Sequence, residues 1–128
     1  MRDSILLGWL FRYFQRRGRT RELQAAADWP TVTAKLLAGK VVERDELAEG
    51  SLAQVFQVEF EYYFVLGEEF YGGYLRSVPC SESEGRRWTR QVEEGVAVTV
   101  RYDPTNPDTT HALAVDNAGK LPFGIWEM

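Results

Sequence analysis

Residues 54–66 read Gln-Val-Phe-Gln-Val-Glu-Phe-Glu-Tyr-Tyr-Phe-Val-Leu. Phe56, Val58, Phe60, Tyr62, Phe64 and Leu66 fall on one side of a period-two pattern, and Gln57, Glu59 and Glu61 on the other. Alternate side chains of a β-strand point to opposite faces, so this stretch is a strand with one face in a core and one in water. Gly67-Glu68 follows at the tip of a tight hairpin. The return strand runs over about Glu69–Val78. Gly72-Gly73 in its middle marks a bulge, or a place where another segment crosses closely.

Upstream, residues 31–44 read as a partner strand with a bulge at Gly39, and Asp45–Ser51 as a polar connection. Downstream, Ser81-Glu82-Ser83-Glu84 fits a capping box. A helix runs from it to about Glu94, with Gly95 as its stop. Val96, Val98, Val100 and Tyr102 then alternate with Ala97, Thr99 and Arg101, a second half-buried strand. Tyr102-Asp103-Pro104-Thr105-Asn106-Pro107 closes it. Proline has no N–H for a ladder, so the two prolines are expected to end the pairing, and Asp103 to accept a bond from the N–H of Thr105 or Asn106. A further strand is expected near Thr109–Val115, a turn at 116–119, and an apolar tail over 121–126 that packs on the body. The expected class is α+β: a curled antiparallel sheet of about five strands, closing toward a small barrel, with a short helix at an edge.

Residues 4–17, Ser-Ile-Leu-Leu-Gly-Trp-Leu-Phe-Arg-Tyr-Phe-Gln-Arg-Arg, read as an amphipathic helix stopped by Gly18. Its apolar residues cover an arc of roughly 240°, more than one sheet face requires. The run Ile5–Phe11 is far short of the ~20 residues that span a bilayer. It also lacks the form of a signal peptide, so the segment is expected to be retained. Docking on its own sheet accounts for the helix as core. That docking, in a dimer included, is the first reading; the excess arc gives the alternative, a membrane or partner surface made of Trp9, Phe11, Tyr13 and Phe14 with Arg12, Arg16, Arg17 and Arg19. A second short helix is expected over residues 20–27, ended by Pro30.

The chain has 128 residues, 45% of them hydrophobic, which supports one domain and not two. Residues 1–28 form a helical arm and 29–128 a β-rich body. The net charge of −4 is divided unevenly. Residues 1–21 carry six arginines against Asp3, a net of +5, and the remainder carries nine basic and eighteen acidic groups, a net of −9. An acidic body excludes broad nucleic-acid binding, which needs a continuous basic track.

No catalytic constellation is visible. P-loop, GxGxxG, GxSxG and HExxH patterns are absent. Glu59 and Glu61 share a strand face about 7 Å apart and are a formal carboxylate pair, but an alternating solvated face explains both with nothing extra. His111 is the single histidine and Cys80 the single cysteine, too few for a zinc site of the usual kind. Cys80 precedes a helix start, where thiolates are favoured, but Glu82 and Glu84 oppose a thiolate. No catalytic, cofactor or metal residue is assigned, and Tyr102, Asp103, Pro104, Asn106 and Pro107 are assigned as a structural turn.

The Tyr102-Asp103-Pro104-Thr105-Asn106-Pro107 element resembles that of the bacterial family called domain of unknown function 3592. Trp29-Pro30-Thr31-Val32, the alternating Val58-Glu59-Phe60-Glu61-Tyr62, the glycine-tipped hairpin and the Gly95-Val96 strand entry follow in the same order, so the resemblance covers about residues 29–115. Many similar members carry transmembrane helices beside the domain, and the family implies no assigned activity. The expected function is a non-enzymatic interaction module that binds a partner or attaches peripherally to a membrane through its N-terminal amphipathic helix. The alternative is a small ligand-binding or hydrolytic β-barrel using acidic and aromatic strand residues. Expected partners are a protein, an anionic membrane surface or a second copy as a homodimer, and no cofactor. The expected location is the cytoplasm, including the inner face of the membrane.

Overall fold

The alternation of residues 54–66 becomes the second strand of a five-stranded sheet. The computed structural model describes residues 23–48 and 51–127. The strands are β1 (Thr31–Ala48), β2 (Ser51–Leu66), β3 (Glu69–Arg76), β4 (Ala97–Asp103) and β5 (Asn106–His111). One helix, α1 (Glu82–Gln91), joins β3 to β4. The sheet order is β3-β2-β1-β4-β5, and every neighbouring pair is antiparallel. The sheet is curled so far that its two outer strands, β3 and β5, touch, which makes it nearly a barrel. The helix expected over residues 4–17, including Trp9, Phe11, Arg12, Tyr13, Phe14, Arg16, Arg17 and Arg19, lies outside the described residues. Of the second short helix, residues 23–26 are helical.

Val58, Phe60, Tyr62 and Phe64 are buried on the concave face, with Ala34 and Leu36 of β1 and Val98 and Val100 of β4. Each large apolar side chain so buried contributes about 1.5–3 kcal/mol. The β1–β2 register shifts between Leu36 and Gly39, where the bulge was expected. A Cβ on Gly39 would fall within the ring of Phe60, so the bulge and the missing side chain together admit that ring.

Several expectations are corrected. Asp45–Ser51 is not a free connection: pairing continues from Asp45↔Gln54 to Ala48↔Ser51, so β1 and β2 form one long hairpin. The two prolines do not end the pairing. Pro104 and Thr105 sit in a turn, Asp103 pairs with Asn106, and Pro107 lies in β5. An outer strand tolerates a missing N–H that a central strand would not. The last strand therefore occupies Asn106–His111, and Val115–Asn117 is a 3₁₀ turn. Within the Tyr102–Pro107 turn, Asp103 Oδ1 accepts from Thr105 N at 2.9 Å and from Thr105 Oγ1 at 2.7 Å. Asn106 Nδ2 donates to Thr109 Oγ1 at 3.3 Å.

Ser81 caps α1, its Oγ accepting from Glu84 N at 3.2 Å. The helix stops at Gln91 rather than Glu94, because Val92 turns extended (φ −97°, ψ 108°) and enters the core. Gly95 (φ +95°) instead shapes the connection to β4, its N–H donating to Leu36 O at 2.7 Å. The helix packs on β1 and β2, not at a sheet edge. Its Trp88 meets Phe123 at 5.5 Å, and Phe123 stacks on Phe60 at 5.9 Å. The deepest apolar surface lies over the two longest strands, and that is where the apolar side of α1 goes.

Candidate functional site

A curled sheet of five strands leaves a seam where its outer strands meet, and here that seam has chemistry. Tyr62 projects from β2 under β3, and its Oη lies 2.6 Å from Thr110 Oγ1 on β5. Gly73 of β3 makes the approach feasible: a Cβ there would lie 2.6 Å from both of those oxygens. The β2–β3 register is continuous through Gly72 and Gly73, so the glycine pair marks the close crossing and not a bulge.

Beyond Gly73 the strands part, and the C-terminal segment bridges them. Val78 N donates to Gly124 O at 2.9 Å and Trp126 N to Arg76 O at 2.8 Å, so residues 124–126 add to the outer edge of the chain following β3. Glu127 Oε1 accepts from Ala114 N at 2.6 Å, which ties the same segment to the stretch after β5. The space enclosed is a half-open cleft of about 490 Å³. Its walls are Gly73–Arg76 on one side, Asp108–Ala112 on the other, and Ile125, Trp126 and Arg44 at the end. A smaller recess of about 70 Å³, lined by Arg44, Gln57, Pro79 and Trp126 among others, adjoins it.

Two arginines, Arg44 and Arg76, line this cleft. Arg76 Nε donates to Glu59 Oε2 at 2.9 Å, and its guanidinium lies 5.1 Å from the centre of the Tyr74 ring. Glu59 also pairs with Lys40 Nζ at 3.5 Å. Arg44 Nη1 donates to Gln57 Oε1 at 2.8 Å, and Gln57 Nε2 to Ser77 O at 2.8 Å. Ser77 Oγ accepts from Val58 N at 2.8 Å and donates to Val78 O. Gln57, expected on a solvated face, is only 1% exposed: it lines a recess with Pro79 and Trp126, and its Oε1 and Nε2 each have a hydrogen-bond partner. The alternation of β2 assigned its face correctly, but no local signal shows what packs on that face.

Behind the β5 wall, His111 is buried and stacks on Trp29 at 5.7 Å. Next to it, Arg101 holds Asp116 through two bonds, Nε to Oδ2 at 2.7 Å and Nη2 to Oδ1 at 2.9 Å, and donates to Ala27 O. That fork keeps the Asp116 carboxyl below the ordinary carboxylate range. Past the end of β5, the Asn117 side chain substitutes for a strand: Oδ1 accepts from Thr99 N at 2.8 Å and Nδ2 donates to Thr99 O at 2.9 Å.

The formal carboxylate pair does not converge on the cleft. Glu59 is tied to Arg76 and Lys40, Glu61 is exposed, and neither lines the cavity. Cys80 is half-buried, with Sγ 3.4 Å from Phe56 O, and burial pushes its thiol pKa up. Among the described residues, no group of three or more His, Cys, Asp or Glu could hold a metal ion, and no helix is long and apolar enough to cross a membrane. Sequence reasoning missed Arg44, Arg76 and Trp126. They come from three separate segments, and their meeting is a property of the curl.

The fold and the cleft define an α+β sheet protein with a polar surface cleft at its seam. The chain belongs to the family described as Domain of unknown function (DUF3592), whose model matches residues 32–114. No curated protein and no solved structure matches the chain significantly. The matched segment includes both strand walls of the cleft, whereas Trp126 lies beyond it.

Proposed function

We propose that this chain is a non-catalytic binding module whose ligand site is the seam cleft. The carrying observation is the cleft itself: a concavity of about 490 Å³ lined by two arginines, each held by a hydrogen bond, and a tryptophan. A concavity of this volume falls within the range of small-ligand sites. The Glu59 and Glu61 pair of the hydrolytic alternative lies elsewhere, one ion-paired and one in solvent.

A fragment screen on the full chain, read by ¹H–¹⁵N spectra, tests this. Hits are expected to perturb residues 73–76, 108–112 and Trp126 together. Hits clustering on the outer face of the β2–β3 hairpin, around Phe70, would overturn the assignment. So would a hydrolytic activity abolished by Glu59→Gln.

The amphipathic arm supports a second property, peripheral attachment of the module to an anionic membrane. Its motive is the wide apolar arc of residues 4–17 with arginines alongside. Co-sedimentation with anionic vesicles and not with neutral ones is the expected result. Equal binding to both, or to neither, removes the attachment without touching the cleft.

A further inference from the structure

Resting on the cleft as the ligand site, we infer that its ligand is a small organic acid, held by a carboxylate or phosphate group between Arg44 and Arg76. Both arginines line the cleft, and among the described residues each is held by one hydrogen-bond partner that takes only part of its donors. A guanidinium has five N–H donors in a planar fork that matches an oxyanion. Among the described residues, Arg44 spends one on Gln57 and Arg76 one on Glu59.

The fixing matters as much as the charge. Gln57 is buried and bonded to Ser77 O, so Arg44 is anchored to the core through one side chain. Arg76 is anchored by Glu59 and lies against Tyr74. Ordering a free arginine on capture is costly, and here much of that ordering is already done. The wider field does not attract anions, because residues 22–128 carry a net −9. Capture therefore depends on short-range bonds to the forks. Asp108, on the opposite wall, orients the acid end of a ligand away from β5 and toward the arginines. The volume exceeds what a lone ion needs, which leaves room for a flat body beside Trp126.

The test titrates the full chain with benzoate, inorganic phosphate and benzyl alcohol, following the Nε–H signals of both arginines and the amides of residues 108–112. Benzoate is expected to bind saturably, and at least about tenfold more tightly than benzyl alcohol, since bonds to a charged group are the strong ones. Phosphate binding with comparable affinity would place recognition in the oxyanion alone; weaker binding assigns a share to the organic body. Arg44→Gln and Arg76→Gln should each weaken benzoate about tenfold, while Arg87→Gln on the exposed side of α1 should change nothing. Arg44 is itself exposed, so its replacement reports on binding even where that of Arg76 perturbs folding. Equal binding of benzyl alcohol and benzoate at the cleft, or full benzoate affinity in Arg44→Gln, would overturn the acid ligand while sparing the cleft. Silence of residues 73–76 and 108–112 toward all three probes would overturn both.

Discussion

Tyr62 and Thr110, 48 positions apart, join their hydroxyls at 2.6 Å across the seam between β3 and β5, which are not paired with each other in the sheet. A phenylalanine at 62 would fill the core as well and leave the seam without that bond. Tyr62→Phe is expected to cost about 1 kcal/mol, the net worth of one hydrogen bond. In a urea melt the midpoint should fall with the slope unchanged, since the surface exposed on unfolding is the same. Thr110→Val should cost a similar amount, and the double variant less than the sum, because the two changes remove one shared interaction.

Gly39 faces Phe60 so closely that no side chain fits between them. Gly39→Ala is expected to destabilise by about 1–3 kcal/mol through overpacking. A smaller ring-free side chain opposite should restore part of the loss, so Gly39→Ala with Phe60→Leu should melt higher than the additive value. An additive double variant would show that the bulge, and not the contact, is what requires glycine.

Much of this sheet is legible in local sequence. The alternation of residues 54–66 and 96–102 marks two strands and the face each buries, and the Ser81 cap marks the start of α1. Two kinds of information are not local. One is where pairing stops: Asp45–Ala48 and Asn106–Pro107 look like loops by composition, yet a partner strand in register holds them extended. The other is the site. Arg44, Arg76 and Trp126 belong to β1, β3 and the C-terminal segment, and nothing in their neighbours in sequence says that they meet. Gly73 was the one readable hint, since a glycine inside a strand signals close approach without naming what approaches.

The Arg101–Asp116 fork gives the fold a defined acid sensitivity. Asp116 has its pKa lowered in the folded state, first by the hydrogen bonds from Arg101. A depressed folded pKa contributes stability that is present above the ordinary aspartate value of about 3.9 and is lost as pH falls through the depressed one. Asp116→Asn should therefore be less stable than the parent at pH 7. The gap should narrow below about pH 4 and close once the parent carboxylate is protonated. Thermal melts of both proteins from neutral to strongly acidic pH check this; a constant gap across that range would assign the effect to packing.

Gln57 is the link between core and cleft, and its replacement separates stability from binding. Buried at 1% exposure, it accepts from Arg44 and donates to Ser77 O. Gln57→Leu leaves the Ser77 carbonyl without that donor and is expected to cost about 1–3 kcal/mol, the penalty of an unsatisfied buried group. Gln57→Glu keeps a partner for Arg44 but sets an acceptor against an acceptor at Ser77 O. It should be the more destabilised of the two at neutral pH and recover as the carboxyl takes up a proton and regains a donor. Gln57 does not line the main cleft, so any loss of oxyanion affinity in folded Gln57→Leu comes from the freed Arg44. Titration with benzoate under strongly native conditions should show weaker binding in Gln57→Leu than in the parent. Parental affinity in that variant would mean that Arg44 is positioned by something other than its bond to Gln57.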